Sequence, residues 1–215
     1  MPRTADDPAA NLAATEYIES EAPEIVALAR SLRADTTVET AVALFYWVRD
    51  SIKYDPYTSM NPPEEYRATR VLERGRGFCI MKAVLLAALG RAAGIPTRLG
   101  FADVRNHKTP EKLRAAMRTD LFVFHGYVEF FIAGQWVKAT PAFDPETTDK
   151  ANALPVELDG TNDAMLHPVD PEGHPHIEYI HDRGPYADLP IDEIRETFIE
   201  VYGGLAEAIE QDPPA

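Results

Sequence analysis

Three observations predict an α+β protein organised as one domain. Apolar residues recur at helical spacing through the N-terminal half of the 215-residue chain. A nearly unbroken Ala- and Leu-rich run, Ile80 to Ala93, stops at Gly94 and Pro96. Beyond it lie β-rich segments separated by Ala133-Gly134, which reads as a hairpin turn. Helices first and an antiparallel sheet afterwards is the α+β order. A chain of this length can bury a full core without dividing.

The elements follow in order. Residues 1–14 are small, polar and Pro-containing and are expected to be a poorly ordered tail, leaving 15–211 as the domain. Pro23 can open a helix at its first turn, and Ile25, Leu28, Ala29 and Leu32 then supply an apolar face. Thr36 or Thr37 can cap the next helix; Thr37 has Thr40 rather than Glu three residues on, so no capping box is read there. Its stripe is Val38, Ala41, Val42, Phe45, Val48 and Ile52, widened by Trp47, and it should end before Asp55-Pro56. Tyr54 to Arg70, punctuated by Asn61-Pro62-Pro63, reads as an ordered loop.

The run from Ile80 is long and rich in helix formers, hence a central helix buried on nearly every side. Thr97 to Val104 reads as a strand and Lys108 to Met117 as a short helix or lid. Leu121 to Ile132 and Gln135 to Thr140 form the hairpin. From about residue 147 to 190 the chain is rich in Pro, Asp, Gly and His, a loop-rich extension expected to wall the cleft. Ile194, Phe198, Val201 and Leu205 suggest a closing helix, weakened by Gly203-Gly204.

Charge narrows the function. Lys and Arg total 21 against 35 Asp and Glu, a net charge of −14, which repels phosphate backbones and anionic lipid. No apolar run approaches the roughly 20 residues of a membrane-spanning helix. Met1 to Asn11 has no apolar signal core, so a cytoplasmic protein is expected. The single cysteine excludes an internal disulfide and a cysteine-rich zinc site.

That cysteine, Cys79, stands at a helix start behind Gly75 and Gly77. The helix terminus favours negative charge, which predicts an acidic thiol, and an N–H there can serve as an oxyanion donor. A free cysteine is equally at home as a small buried hydrophobe. His125 interrupts the apolar strand Phe122-Val123-Phe124-His125-Gly126-Tyr127-Val128, where a thiol's base could sit. A turn at Ala133-Gly134 places residue 125 opposite residue 142, because both pairs sum to 267. Asp144 therefore falls near His125, within a residue or two of register, as an orienting carboxylate. Taken singly, His125 also fits a satisfied core histidine and Asp144 a turn former before Pro145.

Gly77-Phe78-Cys79, the helix ending Arg91-Ala92-Ala93-Gly94-Ile95-Pro96, His125 on a strand, and Trp136 followed by Asp144-Pro145 resemble the transglutaminase-like superfamily. Trp47 to Tyr54 matches the helix before that family's core, and the likeness spans about residues 38–146. The resemblance implies a papain-like core in which a buried helix starts at the nucleophile and packs on an antiparallel sheet. It implies Cys79 as nucleophile, His125 as general base and acid, and Asp144 as orienting carboxylate. Gly126 stands where many members carry Ala or Ser. Gly77, Phe78 and Trp136, with Tyr54 or Tyr66 as substitute for an oxyanion-assisting aromatic, are the candidate substrate-side residues. The chemistry implied is acyl transfer on a peptide, protein or small amide through a thioester, with hydrolysis favoured. Amine transfer and a catalytically idle peptide-binding groove are the alternatives.

No cofactor is expected, and no nucleic-acid or membrane partner. His167, His174, His176 and His181, among Asp163, Asp170, Glu172 and Asp182, have metal-capable chemistry but no ligand spacing, so a solvated loop or cleft wall is expected there rather than a metal site.

Overall fold

The computed structural model of the protein describes residues 7–203. Within the expected N-terminal tail, the first described residue is Asp7, whose carboxylate accepts from Ala9 N and caps a 3₁₀ turn, Pro8–Asn11. Asn11 is buried, so this stretch belongs to the domain; the remainder of the expected tail lies outside the described residues.

Helix α1 (Pro23–Ser31) opens on its proline and buries Ile25 and Ala29. Helix α2 (Thr37–Ser51) does have a capping box, which the sequence reading did not claim: it is counted from Thr36 rather than Thr37. Thr36 Oγ1 accepts from Glu39 N at 3.1 Å, and the Glu39 carboxylate accepts from Thr36 N at 3.0 Å. Leu44 is fully buried in its stripe, while Val38 and Val42 are only partly covered.

The segment expected to be loop is more regular. Strand β1 (Lys53–Tyr54) runs parallel to β2 (Arg76–Gly77), and helix α3 (Ala68–Arg74) lies between them. Helix α3 ends on Gly75 at φ +68°, the left-handed conformation that a residue without Cβ adopts freely.

Helix α4 (Cys79–Ala92) is the axis of the molecule, and every residue from Ile80 to Arg91 is buried. It packs against α1, α2 and α3 on one side and the main sheet on the other. Two cations lie within it, each satisfied by main-chain carbonyls. Lys82 Nζ donates to Ile52 O at 2.5 Å and Arg49 O at 3.1 Å, closing the C-terminus of α2. Arg91 donates to Thr97 O, Ala13 O and Ala187 O at 2.8, 2.6 and 2.7 Å.

The main sheet has strand order β5-β4-β3-β6, antiparallel throughout. Its strands are β3 (Thr97–Asn106), β4 (Leu121–Ile132), β5 (Gln135–Ala139) and β6 (Ile177–Tyr186), with helix α5 (Glu111–Met117) between β3 and β4. The turn joining β4 to β5 has Ala133 at φ +52° and Gly134 at +86°, the backbone of a type I′ hairpin. Strand β6 departs from the loop-rich expectation for residues 147–190. As an edge strand with an exposed middle it carries Glu178, His181, Asp182 and Arg183, so no apolar alternation marked it. The short helix α6 (Pro145–Lys150) precedes it, and α7 (Ile191–Tyr202) closes the described chain. The expected contribution of Leu205 lies outside the described residues. Among the described residues no helix is long and apolar enough to cross a membrane.

Candidate active site

A cavity of about 530 Å³ opens where the first turn of α4 meets the sheet. Cys79 and His125 both line it, with Tyr54, Phe143, Asn106 and Lys108 among the other walls. Cys79 also borders a narrower apolar slot of about 50 Å³ formed by Met60, Phe78, Leu113, Met117 and Phe198. The approach of strand to helix is close. A Cβ on Gly126 would lie 2.8 Å from Ile80 Cα, so glycine is what lets β4 lie against the helix start.

The environment sets the protonation states. Burial pushes the Cys79 thiol up to about 11, against the pull of the Gly126, Ile80 and Cys79 N–H groups on the sulfur. The acidic thiol expected from the helix start is thus reversed by desolvation. Burial also drives His125 down to about 4. The resting pair is a neutral thiol and a neutral imidazole, without a hydrogen bond between them.

The position of His125 depends on an irregularity in β4. Ala102 pairs with His125 and Val104 with Phe122, so Asp103 alone faces both Val123 and Phe124. This β-bulge puts Phe124 at φ +57°, a costly conformation for a bulky residue. Asp103 holds it there, accepting from Phe124 N at 3.1 Å and from Arg183 Nε and Nη2 at 2.6 and 3.0 Å. The Arg183 guanidinium lies 4.0 Å over the Phe124 ring. His125 is the next residue.

The structure brings Cys79 and His125 together but not Asp144 to the ring. Asp144 Oδ1 accepts from Thr147 N at 2.7 Å as the cap of α6, and Oδ2 accepts from Tyr54 N at 2.6 Å. Burial raises its pKa, but these N–H groups and the Lys82 charge outweigh that and hold it below the ordinary range. The side chain beside the ring is Thr140, whose Oγ1 is 3.1 Å from His125 Nε2. The physical reason is that β5 ends at Ala139: Thr140 N turns away to Ala164 O at 2.9 Å, and the register does not extend to Asp144. A signal for Thr140 was present, since residues 140 and 144 lie equally far from the position opposite His125.

The substrate-side candidates separate. Tyr54 and Phe78 border the cavities beside Cys79, and the Tyr54 ring meets Phe143 edge-on at 5.1 Å. Gly77 is buried in β2, where a Cβ would come within 2.9 Å of Met81 Cβ. Tyr66 lines neither cavity; it is fully buried behind Phe78, ring centroids 5.7 Å apart. Trp136 is elsewhere on the sheet, 4.0 Å from the Arg98 guanidinium and edge-on to Phe131. Of the extension, Thr147, Lys150, Ala151, Leu166 and Ile177 form cavity wall. His176 is buried and stacks on Phe143, His167 is half-buried and His181 is exposed. Asp170, Glu172 and His174 gather within 4.8 Å, but the Asp170 carboxylate already holds the Lys108 ammonium at 2.7 Å. Asp163 and Asp182 serve Lys138 instead, through its N–H and its ammonium.

Residues 26–141, just over half the chain, match the family model described as the transglutaminase-like superfamily. Among solved structures, a candidate cysteine protease from Cytophaga hutchinsonii is 20% identical with a TM-score of 0.48, over 64% of this chain and 43% of that one. The periplasmic domain of TgpA from Pseudomonas aeruginosa is 20% identical with a TM-score of 0.43, over 64% and 48% of the two chains. The chain therefore spans less than half the length of either. No curated protein matches it.

Proposed function

Because the chain belongs to the transglutaminase-like superfamily, we propose that it is an enzyme of cysteine-dependent acyl transfer, hydrolysing an amide or peptide bond through a thioester on Cys79. The observation that carries this reading is the shared cavity, lined by a thiol from the start of α4 and by an imidazole from β4. In the first step Cys79 Sγ attacks the substrate carbonyl carbon while its proton passes to His125. The N–H groups at the start of α4 face the developing oxyanion. As the C–N bond breaks, His125 returns the proton to the leaving amine and the acyl group remains on sulfur. Water, deprotonated by His125, then releases the acid and restores the thiol.

A neutral resting pair means that the proton moves in step with attack rather than before it. Two cavities meeting at Cys79 suit a substrate extended to both sides of the scissile bond, with a small apolar group in the narrow slot. The reading assigns a peptide, protein or small amide as substrate and places the reaction in the cytoplasm, where a lone nucleophilic thiol is kept reduced.

The test is to incubate the protein with a panel of peptide and amide acyl donors and weigh the Cys79 peptide by mass spectrometry. An acyl adduct that decays with release of acid, and is absent from Cys79→Ser, is the expected result. An added primary amine appearing in the product instead would move the reading to transglutamination. No adduct with any donor would leave a peptide-binding groove. Alkylation gives a second check: with the thiol pushed to about 11, its rate should climb on the alkaline side of a free thiol. A profile already complete near neutral pH would contradict the neutral pair.

A further inference from the structure

We propose that Thr140, and not Asp144, orients the His125 ring for proton transfer, its hydroxyl holding the imidazole as the Nε2–H tautomer. The inference rests on the acyl-transfer reading and adds a positioning residue to it. Thr140 Oγ1 lies 3.1 Å from His125 Nε2 and 3.5 Å from the Gly126 carbonyl oxygen. A hydroxyl has one proton, and a carbonyl oxygen can only accept. With the hydroxyl proton directed to Gly126, the hydroxyl oxygen is left to receive the hydrogen on Nε2. Nδ1 keeps its lone pair and is the nitrogen left to take the Cys79 proton.

The threonine is well fixed for this work. It is 1% exposed, its N–H donates to Ala164 O at 2.9 Å, and Pro141 follows it. Asp144 has both oxygens engaged, by Thr147 N and Tyr54 N.

A hydroxyl orients the ring without supplying a countercharge. The groups that face His125 are Cys79 from α4, Thr140 beyond β5, and Tyr179 from β6, whose ring centroid is 6.2 Å away. The charges on the wider cavity wall are Asp55, Lys108 and Lys150. Asp103 on β3 is turned to Arg183, and Asp182 on β6 to Lys138 and the Gly184 N–H. None of these carboxylates touches the ring, so among the described residues an imidazolium formed during attack has no carboxylate beside it.

The experiment reads the ¹⁵N shifts of the His125 ring in the 215-residue chain as a function of pH, assigned by their loss in His125→Gln. Wild type, Thr140→Ser and Asp144→Asn should all show the Nε2–H tautomer, and Thr140→Val should lose it. Thr140→Asp should raise the pH at which the ring titrates by about 1–3 units, as a carboxylate beside a cation does. A wild-type ring protonated on Nδ1 would overturn the proposal. So would a tautomer that changes in Asp144→Asn but survives in Thr140→Val. If Thr140→Val does not fold, the wild-type tautomer and the Thr140→Asp titration still decide. An Nε2–H ring beside a Cys79 that no acyl donor modifies would remove the enzyme reading and leave the orienting role of Thr140 standing.

Discussion

The two walls of the cavity are built on opposite terms. The helical wall is regular: α4 is buried from Ile80 to Arg91, and Cys79 stands at its first position because the chain turns into the helix there. The sheet wall is irregular: a bulge at Val123 and Phe124, a bulky residue at φ +57°, and a strand that stops at Ala139 set His125 and Thr140. The thiol is thus placed by a repeating pattern and the imidazole by departures from one. Damage to the first wall should appear mainly as lost stability, and damage to the second mainly as lost reactivity of Cys79.

The largest effect is expected in the helical wall. Leu86 is fully buried in α4, and Leu86→Ala should lower stability by about 3 kcal/mol through lost transfer energy and a cavity. Denaturant unfolding measures this, and alkylation of the remaining folded protein should keep the wild-type pH profile. A changed profile would show that the two walls do not act separately.

Next is the lock on the bulge. Asp103→Ala removes the acceptor of Phe124 N and the partner of Arg183, and should cost about 2 kcal/mol. Here the loss of Cys79 acylation per folded molecule should exceed the loss in stability, because relaxation of Phe124 re-aims His125. Acylation that merely tracks the folded fraction would put the sheet wall on the same footing as the helix.

The most gradual effect is a pH slope. The His125 ring is held near 4 in the folded protein against about 6.5 in the unfolded chain. Between those values the unfolded chain binds a proton that the folded one does not, so stability falls as pH drops through the window. The contribution is at most about 1.4 kcal/mol per pH unit. His125→Gln should flatten the acid limb of stability against pH between 6.5 and 4; an unchanged slope would mean that the buried ring is already protonated.

What was legible in the sequence follows the same division. The apolar run gave away α4 with its Gly94 and Pro96 stop, and Ala133-Gly134 gave the hairpin with its register. Cys79 and His125 emerged as a pair because a thiol at a helix start and a histidine in an apolar strand are chemically conspicuous. The α2 capping box was passed over by counting from Thr37 instead of Thr36. Strand β6 was hidden because an exposed edge strand needs no apolar alternation. Thr140 was missed for a chemical reason: a carboxylate is the familiar partner for a catalytic histidine, and Asp144 lay at the same distance in register. The bulge has no local signature, since the Asp103 and Arg183 that hold it are 80 residues apart.

Arg91 has a bearing on how the molecule opens. One guanidinium gathers carbonyls from Ala13, Thr97 and Ala187, joining the chain ahead of the first long helix to the linker that precedes the last. Segments near the two ends of a domain ordinarily fray first and exchange their amide hydrogens through small local openings. Here both are fastened to the side chain of a residue inside the central helix, and releasing either strands a buried cation. Their protection against exchange should therefore approach that of the core, so that the segments around Ala13 and Ala187 open together with the domain and not ahead of it.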